Sequence, residues 1–131
     1  MSNGTTVDAS SIGPDGFTIR IEITDDEALL SESLNVSINL PDYVMNVEES
    51  NTSILIEIKF SKDTIEQYAM MYMGSFSIII KVFCSDVNIN TATKNFVIHM
   101  EHATYAMMWL VFVIVILAVM MVIVILILRK R

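Results

Sequence analysis

The sequence predicts a mainly β protein: an antiparallel β-sandwich with one short helix, followed by a C-terminal transmembrane helix. Three observations predict it. Five runs alternate apolar and polar residues with a period of two, the pattern of strands that bury one face. One segment, around residues 62–73, carries a helical spacing instead. Residues 106–128 then run without a single charge, up to Arg129, Lys130 and Arg131.

Residues 1–13 are small and polar and read as a flexible lead-in. Pro14-Asp15-Gly16 signals a turn, because Pro presets φ, Asp caps locally and Gly tolerates positive φ. "FTIRIEI" then sends Phe17, Ile19, Ile21 and Ile23 to one face. "LNVSINL" does the same with Leu34, Val36, Ile38 and Leu40, and "ILIEIKF" with Ile54, Ile56, Ile58 and Phe60. "FSIIIKV" contributes Phe76, Ile78, Ile80 and Val82, and "FVIHM" contributes Phe96, Ile98 and Met100. Tyr43–Val47 is read as a short sixth strand. "TDDEALLSES" is read as a helical turn, with Thr24 capping toward Glu27. In "SKDTIEQYAMMYMG", Asp63 and Glu66 form a capping-box-like start and Gly74 suits a helix C-terminus. Ile65, Tyr68, Ala69 and Tyr72 make its packing face. Evenly spaced strands without strand–helix alternation predict a sandwich over 14–104.

At about 1.5 Å per residue, the uncharged stretch reaches roughly 35 Å, enough for a hydrocarbon core about 30 Å thick. The predicted span is 105–128. Tyr105 and Trp109 take the place of interfacial aromatics at one end, and a basic tail, Arg129, Lys130 and Arg131, closes the other. No ionisable group interrupts the span and Ala118 is its one interior small residue, so it reads as an anchor and not a pore element. Almost no linker separates it from the last strand, which predicts a domain held close to the bilayer.

All 15 acidic residues, but only Arg20, Lys59, Lys62, Lys81 and Lys94 among the cations, precede the span. Such an acidic domain repels phosphate backbones, which argues against nucleic acid as a partner. Cys84 is the only cysteine, so the fold holds no internal disulfide, a mild argument for a reducing compartment.

Leu34–Met100 resembles the Ig-like β-sandwich of the cadherin-like kind found in dystroglycan and sarcoglycan ectodomains. "LNVSINLPDYV" resembles that family's strand followed by Leu-Pro-aromatic-aliphatic. "GSFSIIIKVFCSD" and "NTATKNFVIHM" resemble its closing hairpin. The resemblance covers about half of the chain and implies an Ig-like or jelly-roll-type module for adhesion or assembly, without catalysis. The family's Gly-Thr-Pro turn is replaced by "DTIEQYAMMYMG", and the calcium-ligating acidic signatures that lie between tandem domains are absent.

Candidate chemistry is sparse. Cys84 as a nucleophile needs a base nearby, and His99 and His102 are the only histidines. "HMEH" offers His99, Glu101 and His102 to zinc without a fourth ligand of matching spacing. "TDDE" alone falls short of the six to eight oxygens that calcium takes. No catalytic, cofactor-binding or metal residue, no cofactor and no small-molecule substrate is expected. Sequons stand at Asn3, Asn35 and Asn51. Met70, Met71 and Met73 are the candidate partner-contact surface, since Met is adaptable and common on binding faces.

The tail cations favour a cytosolic tail by the positive-inside rule. Against this, the first 20 residues show no apolar h-region, so tail-anchored insertion with the domain facing the cytosol is expected. The expected role is a non-enzymatic, single-pass structural or assembly subunit. Its β domain docks to other protein subunits beside the bilayer, a virion membrane protein linking internal membrane to capsid being one version. The alternative is an adhesion or receptor-like ectodomain with a cytosolic basic tail.

Overall fold

A computed structural model describes residues 4–131; the Asn3 sequon and the first three residues of the lead-in lie outside the described residues. Strands β1 (Thr6–Asp8), β2 (Phe17–Thr24), β3 (Leu29–Ile38), β4 (Tyr43–Glu49) and β5 (Ser53–Phe60) precede helix α1 (Lys62–Met71). Strands β6 (Ser75–Asp86) and β7 (Thr91–Glu101) follow, and helix α2 (Ala103–Arg129) closes the chain. The strands form two sheets, ordered β1-β7-β6-β3 and β2-β5-β4. Every pairing is antiparallel except that of β1 with β7. The predicted sandwich, its short helix and the long apolar helix are all present.

The alternation in the sequence becomes the core. Ile54, Ile56, Ile58 and Phe60 on β5 face Phe76, Ile78, Ile80 and Val82 on β6, and all eight are buried. Ile19 and Ile21 from β2 and Ile98 and Met100 from β7 complete the layer. Opposite residues on β2 and β5 make the solvent face, where Arg20 Nε lies 3.0 Å from Glu57 Oε2 across the strands. Both side chains are well exposed, so the pair is worth at most about 1 kcal/mol.

Three expectations are corrected. Residues 6–11 are not a flexible lead-in: β1 pairs with His99–Glu101, and a 3₁₀ turn at Ala9–Ser11 follows. Asp8 caps that turn, its Oδ1 accepting from the Ser10 amide at 3.0 Å, and Ala9 and Ile12 are buried. The sandwich therefore begins at β1 and not at residue 14.

Leu29–Ser33 is strand, not helical turn. Leu29 and Leu30 pair with Asp86 and Ser85, and the register shifts before resuming at Asn35 opposite Phe83. Ser33 Oγ bridges the bulge, donating to the Leu30 carbonyl at 2.6 Å and accepting from the Ser85 amide at 2.8 Å. The bulge breaks the period of two, which hides this half of β3 from a pattern reading.

Helix α1 is capped by Ser61, whose Oγ accepts from the Thr64 amide at 3.2 Å, two residues earlier than the Asp63–Glu66 box. The hydroxyls of Ser61 and Thr64 also pair at 2.9 Å.

Candidate functional site at the junction of sandwich and helix

Only His102 stands between β7 and α2, so the apolar helix grows directly from the last core strand. α2 runs for 27 residues with a mean hydropathy of 3.8 over its most apolar window, none of it buried in the protein, and is long and apolar enough to cross a membrane. It starts two residues before the predicted span. Arg129 lies in its last turn, where a cation complements the exposed carbonyls, and Lys130 and Arg131 follow.

The first two turns of α2 lie on the sandwich. His102, Tyr105, Ala106 and Trp109 share one helical stripe, at spacings i, i+3, i+4 and i+7. The His102 amide donates to the Gly74 carbonyl at 2.6 Å, and the Ala106 amide to the His102 carbonyl at 3.1 Å. Tyr105 packs on the core, its ring 4.3 Å from the His102 ring. Trp109 Nε1 donates to the Met70 carbonyl at the end of α1, at 3.3 Å, and its ring meets Phe112 edge-on at 5.7 Å. The two residues expected as interfacial aromatics are thus also those that seat the helix on the domain.

Gly74 makes the seat. The chain leaves α1 through two successive left-handed residues, Met73 at φ 61° and Gly74 at φ 93°. The Gly74 amide closes the helix end on the Ala69 carbonyl at 2.6 Å. A β-carbon at Gly74 would stand 2.5 Å from the Ala106 nitrogen, so only glycine admits α2 at this distance.

Met70, Met71 and Met73 lie at this junction, each more than half exposed, with Tyr72 exposed between them. The stripe expected to pack does so in part: Ile65 and Ala69 are fully buried, Tyr68 is partly buried against Phe76, and Tyr72 stacks on Tyr68 at 6.0 Å.

The other candidate groups are spread along the sandwich. Ser77 Oγ pairs with His99 Nδ1 at 2.9 Å, while Cys84 lies seven residues further along β6, about 23 Å away at strand rise. His99 and Glu101 are exposed, while His102 is buried and its Nδ1 meets no hydrogen-bond partner among the described residues. Cys84 is buried, its Sγ 3.9 Å from Ser33 Oγ. It lines a groove of about 630 Å³ between β2 and the β6–β7 hairpin, where Ile19, Ile21, Val82 and Phe96 meet the charged Arg20 and Lys94. Among the described residues, no group of three His, Cys, Asp or Glu side chains converges on a metal position.

At the far end of the sandwich Asp86 is buried and fully engaged. Its Oδ1 accepts from the amides of Asn88 and Asn90 at 3.0 and 2.9 Å, and its Oδ2 from the Asn90 side chain at 3.0 Å. These bonds, the Asn90 side-chain amide first, hold its carboxyl below the usual value. Asp8 is likewise lowered, chiefly by the Ser10 hydroxyl at 2.6 Å.

The chain matches no protein-family profile and no curated protein.

Proposed function

We propose that the protein is a single-pass, membrane-anchored assembly subunit, with α2 in the bilayer and the sandwich docked to protein partners directly above it. The observation that carries the reading is the junction. A helix of spanning length emerges from the core strand β7 without a linker, and Gly74, Tyr105 and Trp109 fix it to the domain. A flexible ectodomain stalk has no need of such a seat; a subunit that holds a partner at a set height and angle does.

Strand β4 supports the protein-partner half. It is one of the two edge strands of its sheet, and Tyr43, Met45 and Val47 lie opposite Phe60, Ile58 and Ile56 in register. They therefore belong to the core-facing side, yet all three are exposed, as is Val44 on the other face. An apolar edge strand with one ladder side open is suited to strand addition by a partner.

The single buried thiol and the absence of any disulfide requirement favour a reducing compartment for the domain. The alternative, a cell-surface adhesion domain, draws support from strand order: a final strand flanked by a parallel first strand, with the sheets split four and three, suits an Ig-like sandwich. In that orientation Asn35 and Asn51, both exposed, meet the glycosylation machinery.

Mild-detergent extraction of the full chain tests the role. A stoichiometric partner that cross-links through a photoreactive residue at position 44 or 45 is the expected result. A chain that stays monomeric, with no cross-link at β4, contradicts it.

A further inference from the structure

We infer that the end of α1 — Met71, Tyr72 and Met73 — is a second membrane contact, dipping into the lipid interface beside the anchor. The inference rests on α2 spanning the bilayer, and it assigns lipid, in place of a protein partner, as the occupant of the methionine surface.

The depth follows from α2 itself. Arg129, Lys130 and Arg131 hold the far interface. Counting back from Leu128 at about 1.5 Å per residue, a hydrocarbon core about 30 Å thick is used up near Trp109. Trp109 thus marks the near boundary, where an indole settles with its N–H in reach of a polar partner. That partner is the Met70 carbonyl, 3.3 Å away. The hydrogen bond places the end of α1 at the level where headgroups meet acyl chains.

The chemistry of the segment fits that level. Residues 67–80 carry no charge, although the domain around them is strongly acidic. Met71, Tyr72 and Met73 are 56, 55 and 58 % exposed, a contiguous apolar tip with a phenol that suits the interface. The left-handed turn at Met73 and Gly74 sets the tip beside the first turns of α2, where Gly74 meets Ala106 and Met70 meets Trp109. Two contacts in place of one fix the tilt of the sandwich as well as its height.

Spin labelling of the full chain in phosphatidylcholine vesicles tests the inference. Cys84 is buried, so introduced cysteines take the label and the unaltered chain serves as the blank. Nitroxides are placed at Met71→Cys, Met73→Cys, Ile116→Cys in mid-span and Asp26→Cys at the far end of the sandwich. The expected result at positions 71 and 73 is collision with dissolved oxygen, with exposure to a water-soluble nickel chelate reduced at least threefold against position 26. Full exposure to the chelate overturns the inference, and so does shielding from both relaxants, which marks a protein cover. Position 116 separates the two claims. If it lies in hydrocarbon while 71 and 73 are aqueous, the anchor stands and the second contact falls; if 116 is itself aqueous, the spanning helix falls and the second contact with it.

Discussion

Gly74 and Ala106 meet backbone to backbone: a β-carbon on the first would stand 2.5 Å from the nitrogen of the second. Through this contact the sandwich and the apolar helix are held in one orientation. Gly74→Ala brings a clash with α2 and a left-handed alanine together, the latter alone costing about 1–3 kcal/mol. Amide exchange at residues 103–109 is expected to quicken while the rest of the sandwich stays protected. Gly13→Ala, with open space around the new carbon and no left-handed φ, is the matched control.

The core is a run of isoleucines pressed between two sheets, and Ile58 is fully buried in it. Ile58→Ala should lower stability by about 2–5 kcal/mol. Val44→Ala, one of the most exposed apolar residues of the sandwich at 61 %, should change it by less than about 0.5 kcal/mol. Urea unfolding of the detergent-solubilised chain reads both, and similar losses would contradict the assigned faces of β4 and β5.

Asn39 extends β3 past its end with its side chain. Its Oδ1 accepts from the Ile79 amide at 2.7 Å and its Nδ2 donates to the Ser77 carbonyl at 2.9 Å. Asn39→Ala should cost about 1–3 kcal/mol, since two bonds at about 0.5–1.5 kcal/mol each are lost. Asn39→Asp keeps the acceptor and is expected to recover part of the loss in the same unfolding assay.

Acid should find Asp86. Folding lowers its pKa below the ordinary 3.8, so the unfolded chain takes up the proton first as the pH falls. Its contribution to stability is complete above that ordinary value and is lost as the pH drops through the lower folded one. Asp86→Asn should lower the midpoint of thermal unfolding at pH 7 and flatten its fall between pH 5 and about 2. An unchanged acid limb in the variant would contradict the assignment.

Much of this was legible in the residues. The alternation at Phe17–Ile23, Ile54–Phe60 and Phe76–Val82 gave strands with the right faces, because one buried face imposes a period of two. Leu29–Ser33 was hidden because a bulge held by one serine hydroxyl breaks that period. β1 was hidden because three residues make too short a run for any period, and its pairing with β7 is a long-range event. The junction was half visible. Tyr105 and Trp109 read as interfacial aromatics from composition, but four positions apart they also form a stripe with His102 and Ala106, and that spacing was the available signal. The seat at Gly74 had no signal beyond a glycine after a helix, because its partner is some thirty residues on and known only from the fold.

Membrane spanning by α2 is tested most directly by alkaline carbonate extraction of membranes carrying the full chain, alongside a chain ending at His102. The full chain is expected to stay in the membrane pellet after carbonate while the shorter one is released to the supernatant. Release of the full chain by carbonate would contradict a membrane-spanning α2.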